Sequence, residues 1–122
     1  MTEDGQHWTP LLASRAVTQA PQRVVVAGIG LVVWRAGRRR PVVFLDRCPH
    51  HGLRLSTGHR TLIGRLVCDG HGWAFDASGV CRHAPGRPLA QTAGRRAGVV
   101  PCQERDGQLW VLTDADGVPV SN

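Results

Sequence analysis

Two short stretches decide the reading of this chain: Cys48-Pro49-His50-His51-Gly52 and Cys68-Asp69-Gly70-His71-Gly72. Each places one cysteine two or three residues ahead of a histidine and closes on a glycine, and 17 residues separate His50 from Cys68. Thiolate sulfur and neutral imidazole nitrogen are both transition-metal ligands, so a repeated Cys/His pair reads first as a metal centre. One tetrahedral zinc ion is a possible occupant of four such donors. Structural zinc sites, however, usually begin with a knuckle of two cysteines two to four residues apart. Here each loop supplies one donor of each kind, across gaps of one and two residues.

Outward from the two loops, the chain consists of short apolar segments punctuated by turns. Pro41 to Asp46 carries Val42, Val43, Phe44 and Leu45 up to the first cysteine, and Leu62 to Val67 is expected to be the matching strand into Cys68. Upstream, Arg23 to Ala27 and Leu31 to Ala36 are β-branched segments joined through Gly28-Ile29-Gly30, and Gly37 to Arg40 turns the chain back. Downstream, Asp76-Ala77-Ser78-Gly79 is a turn signal, followed by Val80 to His83 and a break at Pro85-Gly86. Gly98 to Glu104 and Gln108 to Leu112 flank Asp106-Gly107, a hairpin turn. The stretch His7 to Pro21 has two prolines and no alternation, and reads as an irregular lead-in packed over one edge. With 15 glycines and eight prolines as turn formers, the expected fold class is all-β.

At 122 residues the chain is expected to form one domain, 1–122, with the metal-binding part at about 46–85. The formal charge is +6, and all 15 basic residues are arginine. Arg38-Arg39-Arg40 and Arg95-Arg96 sit beside glycine or proline, which fits solvated turns better than a nucleic-acid stripe; attraction of an acidic protein partner is the bolder alternative. The longest apolar run, Val24 to Trp34, is interrupted by Gly28 and Gly30 and too short to span a bilayer. Met1 to His7 has acidic residues and no apolar core, which is unlike a targeting peptide. The expectation is a soluble cytoplasmic protein without membrane or nucleic-acid partners, its four cysteines serving as ligands or free thiols.

Taken together, Cys48-x-His50, Cys68-x-x-His71, the tail Gly72-Trp73-x-Phe75-Asp76 and Gly79-x-Cys81 resemble a Rieske domain. The likeness is greatest to the N-terminal domain of Rieske non-heme iron oxygenases, and a small Rieske-type ferredoxin is similar. It extends to Asp46-Arg47, Leu53-x-Leu55-Ser56, Gly58 and Trp8, and so covers nearly the whole chain. The resemblance implies an all-β fold of small antiparallel sheets with two ligand loops at the tip, and one [2Fe–2S] cluster held by Cys48, His50, Cys68 and His71. In such a cluster two thiolates bind one iron and two imidazoles the other, which is why each loop must contribute one of each. The glycines Gly52, Gly70 and Gly72 would let backbone approach the bridging sulfides.

The departures also carry expectations. The cytochrome-complex Rieske proteins have an additional, paired cysteine in each loop; Leu53 and Gly70 stand there in this chain, so no disulfide clamps the loops. Trp73 occupies the position of their serine, which implies a potential near the lower end of the roughly −150 to +300 mV Rieske range. Oxygenases often carry arginine at His51 and Pro-Tyr at Asp69-Gly70. They also continue into a domain with a mononuclear iron on two histidines and a carboxylate, and His7, His51, His59 and His83 do not form that pattern. The resemblance thus implies a carrier of single electrons from a flavin-dependent reductase to a non-heme iron oxygenase component, or the Rieske component of an oxygenase whose catalytic domain lies on another chain. A redox-sensing module is a third class, without a sequence feature in its favour. Cys81 and Cys102 read as small buried hydrophobes, His51 as an exposed loop residue, and Trp73 as packing beneath the second loop.

Overall fold

The connection between Arg23 and Trp34 closes in two residues. Ala27 and Gly28 both take positive φ, 51° and 77°, the twist that suits a tight hairpin, so Ile29 and Gly30 belong to the return strand and not to the turn. Strand β2 (Gln22–Val26) pairs antiparallel with β3 (Ile29–Arg35), and β4 (Pro41–Leu45) pairs with the other edge of β3. The computed structural model describes residues 5–38, 40–50, 52–92 and 95–121.

The unbroken apolar runs of β3 and β4 have a physical cause, since both faces of this sheet are covered. Val32, Trp34, Val42 and Phe44 face one core, which they share with Leu55, Leu66, Trp73 and Phe75. Leu31, Val33 and Val43 face a second core with Val17, Val100, Leu109 and Val111. Strand β1 (His7–Ala13) contradicts the expectation of an irregular lead-in: it pairs with β10 (Gln108–Thr113), which pairs in turn with β9 (Cys102–Arg105). A bulge between Pro10 and Leu12 accommodates the proline and breaks the alternation by which such a strand is recognised.

These two sheets are joined along the free edge of β4. Val99 bridges Phe44, Leu45 N–H donates to Gly98 O at 2.8 Å, and Val100 N–H donates to Val43 O at 2.9 Å. Gly98 to Val100 thus extends the β4 edge before the chain enters β9. Arg35 fastens the same junction: its Nη1 and Nη2 donate to the two Glu104 oxygens at 3.0 and 2.9 Å, while Nε donates to Val17 O at 2.9 Å.

A third sheet carries the second sequence motif, and the first motif lies on the connection that enters it from β4. The sheet runs β5 (His59–Arg60), β6 (Leu66–Val67), β7 (Ala74–Phe75) and β8 (Cys81–His83), all antiparallel. The strand expected over Leu62 to Val67 is only its last two residues; Gly64 N–H closes a turn onto Thr61 O, and Leu62 is 99% exposed. Arg60 ties this sheet to the first by donating to the carbonyl oxygens of Arg35 and Ala36, both at 2.6 Å. Among the described residues there is no α-helix, and the all-β expectation of small antiparallel sheets holds. No helix among them is long and apolar enough to cross a membrane. Arg38, Arg40, Arg95 and Arg96 lie exposed outside the strands, as solvated turns require, while Arg39 lies outside the described residues.

Candidate metal centre

The two loops have matching backbones. In the first, Cys48 N–H donates to Leu53 O at 2.7 Å and Gly52 N–H to Cys48 O at 2.8 Å. In the second, Cys68 N–H donates to Trp73 O at 2.8 Å and Gly72 N–H to Cys68 O at 2.9 Å. The fifth residue of each is a glycine with φ of 77° and 72°, left-handed backbone that costs glycine nothing. The first loop spans the gap between β4 and β5, and the second is the β6–β7 turn. The histidines occupy non-equivalent places in this matched backbone, third in the first loop and fourth in the second.

Sulfur and nitrogen are sorted by depth. Cys48 and Cys68 are each 1% exposed and belong to the core with Trp73 and Phe75. His50 is half-buried with its Nδ1 shielded from solvent, and His71 is exposed. The two imidazoles meet edge to face, centroids 4.9 Å apart and 81° between planes. Trp73 does more than pack beneath its own loop: its indole stacks on His50 of the other loop, at 4.2 Å and 8°.

Each loop is also supported from outside. Asp46, two residues ahead of Cys48, accepts hydrogen bonds from Ser56 N–H at 2.7 Å, Ser56 Oγ at 2.6 Å and Arg23 Nη1 at 2.8 Å. The Arg47 guanidinium lies over Gly52, and Pro85 lies over Gly72. Beyond β7, Asp76 accepts from Ser78 N–H, Val80 N–H and Arg82 Nε at 2.9, 3.1 and 2.7 Å. Burial works to raise the Asp76 carboxyl, but these hydrogen bonds outweigh it and hold the group below its usual value.

Among the described residues no three His, Cys, Asp or Glu side chains converge to hold a single ion. A [2Fe–2S] cluster with mixed ligands asks only two sulfurs of one iron and two nitrogens of the other. Two thiols in an apolar core beside two imidazoles nearer the surface supply that set, so the residues present fit the group. Cys81 is buried in the same core with its Sγ 3.4 Å from His83 O, as a small hydrophobe would be. Cys102 is only half-buried, and burial, with the Glu104 charge, pushes its thiol up to about 11. His59 stands opposite Val67 and His83 opposite Ala74, in strands that flank the second loop, while His7 lies on β1 of another sheet; the expectation for His51 falls outside the described residues.

The fold and paired loops define a domain built to seat a binuclear iron–sulfur group at its tip, and comparison with known proteins agrees. The family profile of the Rieske [2Fe-2S] domain matches residues 7–102. The chain belongs to that family, whose cofactor is a Rieske-type [2Fe–2S] cluster. It is 36% identical over 108 residues to the phenoxybenzoate dioxygenase subunit alpha of Ectopseudomonas oleovorans, covering 86% of this chain and 26% of that one. It is also 36% identical over 88 residues to the chloroplastic chlorophyllide a oxygenase of Chlamydomonas reinhardtii, covering 72% and 13% respectively. The crystal structure of apo dicamba monooxygenase superposes with a TM-score of 0.81 at 28% identity, over 91% of this chain and 34% of that one. The chain therefore spans 13–34% of the length of these relatives.

Proposed function

We propose that this domain carries single electrons through a [2Fe–2S] cluster held by Cys48, His50, Cys68 and His71, taking them from a flavin-dependent reductase and giving them to a non-heme iron oxygenase component. The observation that carries the proposal is the sorting of donors by depth, with sulfurs 1% exposed and His71 at the surface. When bound, the cluster supplies a one-electron redox couple with little change in shape. The chain's own residues do the rest. The core around Cys48 and Cys68 excludes water from the sulfur side, and Trp73 holds the His50 ring in one orientation. His71 offers the short path between the loops and a docked partner.

The test is low-temperature EPR on dithionite-reduced protein, with iron, sulfide and zinc measured on the same sample. A rhombic signal at lower average g than an all-cysteine cluster, with two irons per chain, is expected. An EPR-silent protein with stoichiometric zinc would remove the proposal. A cytoplasmic setting, in which thiol ligands stay reduced, belongs to the same reading.

A second reading makes this domain the Rieske component of an oxygenase whose mononuclear-iron domain lies elsewhere. It is supported by the length of the relatives and by Leu62 and Ile63, which stand 99% and 72% exposed at the β5–β6 turn. Size-exclusion chromatography after co-expression separates the two: a component of one assembly elutes with its iron-containing partner, whereas a carrier elutes alone.

A further inference from the structure

The first loop leaves β4 at Leu45 and regains regular structure at the 3₁₀ turn Leu55–Thr57. The second loop, by contrast, is the closed end of a β hairpin. Among the described residues no strand pairs across the neck of the first loop; inside the neck, Cys48 N–H donates to Leu53 O at 2.7 Å and closes the loop on itself. Leu55, fully buried, anchors its far side by packing. That hydrogen bond does not fix the closed loop relative to the base, and the apolar contact of Leu55 has no preferred direction.

What spans the neck is a carboxylate. The Asp46 side chain has no exposed surface, and a buried carboxylate is tolerated only when it is hydrogen-bonded and paired. It receives three hydrogen bonds, two from Ser56 on the opposite side of the neck and one from Arg23 on β2. The seat for Arg23 is made by Gly30 on the adjacent strand: a Cβ at that position would collide with the guanidinium. Asp46 N–H meanwhile donates to Gly30 O at 2.9 Å, so the backbone of the same glycine locates the carboxylate. The loop is thereby referred to the β2–β3 hairpin, a rigid part of the base.

We propose that Arg23, Asp46 and Ser56 form a latch that positions Cys48 and His50, so that a residue on β2 controls cluster retention and symmetry without touching a ligand. This rests on the reading of Cys48 and His50 as ligands. The three are positioning residues. Opening the latch leaves the loop anchored by Leu55 but lets Cys48 and His50 drift relative to the second loop, which exposes the iron to exchange.

The experiment compares Ser56→Ala and Arg23→Met with the unmodified holoprotein, well below the melting temperature. Iron release to an excess of bathophenanthroline disulfonate is followed by absorbance, and EPR g values are recorded on reduced samples. Each substitution removes one donor to a charged acceptor, so release is expected on the order of 10-fold faster, with altered g anisotropy, and Arg23→Lys restores both. Arg35→Met is the control for plain destabilisation, because it unfastens the other end of the same sheet: it lowers Tm and leaves release and g values unchanged. Latch variants that behave like Arg35→Met, or release iron at the unmodified rate, overturn the proposal. A Cys48→Ser protein that keeps its cluster overturns the ligand reading instead, and the latch with it.

Discussion

The imidazole of His50 lies flat against the indole of Trp73, centroids 4.2 Å apart and 8° between planes, although the residues stand on different loops. Trp73 is 1% exposed and continues inward to Phe75, so His50 rests on the core itself. Stacked rings of this kind contribute beyond their buried area and restrict rotation of the smaller ring. One side chain thereby couples the position of a sequence-predicted ligand to the packing of the domain.

Removing that ring should be costly. Trp73→Ala is expected to lower unfolding stability by about 3–5 kcal/mol, measured by denaturant titration. Trp73→Phe keeps a ring under His50 and should lose clearly less. Equal losses in the two variants would mean that the stack contributes nothing beyond volume.

Cysteine substitutions separate ligands from bystanders. On the proposed ligand set, Cys48→Ser and Cys68→Ser should each yield colourless protein with little iron, because each would remove a thiolate from the sulfur-bound iron. Cys81→Ser should keep its visible absorbance, despite sharing their core. A colourless Cys81→Ser beside a coloured Cys48→Ser would require a different ligand set.

Gly58 is a steric requirement and not a conformational one. Its φ is −83°, ordinary for any residue, but a Cβ there would collide with the Val67 carbonyl of β6. Gly58→Ala should therefore cost about 1–3 kcal/mol as backbone shifts to make room. Gly37→Ala, where a Cβ meets nothing within 4 Å, should be close to neutral by the same thermal melt.

Acid should weaken the junction of the two base sheets. The bidentate hydrogen bond from Arg35 holds the Glu104 carboxyl below its usual value, and the same pair raises Arg35. A depressed carboxyl pKa contributes stability above the unfolded value, near 4.3, and loses it as pH falls through the folded value. Both side chains are partly exposed, so the contribution is about 1 kcal/mol at neutral pH. Stability curves of the unmodified protein and Glu104→Gln should lie apart at pH 7 and converge in acid; a constant gap down to pH 3 would contradict the assignment.

The Cys102 thiol, pushed up to about 11 by burial and by Glu104, should be sluggish toward alkylating reagents at pH 8. Its labelling by iodoacetamide, followed by peptide mass spectrometry, should accelerate steeply above pH 10. Rapid labelling at pH 7 would show an accessible thiolate and contradict this environment.

The motifs were legible because metal ligation is written locally: a cysteine, a histidine and a turn glycine within five residues need no distant information. The last hairpin was legible for the same reason, with Asp106-Gly107 adopting the positive φ values that its residue types favour, whereas the first turn falls at Ala27-Gly28 and not at Gly28-Ile29-Gly30. Strand β1 was not, since its conformation comes from β10, about 100 residues away, and its bulge hides the alternation. Leu62 and Ile63 misled in the opposite direction, as an apolar pair that the fold leaves in solvent. The sequence by itself determined the fold class and the four ligand candidates, because spacing and residue chemistry suffice for both. Only the tertiary structure decided that Trp73 stacks under His50 and that Asp46 joins Arg23 to Ser56, because such contacts depend on where distant segments of the chain come to lie.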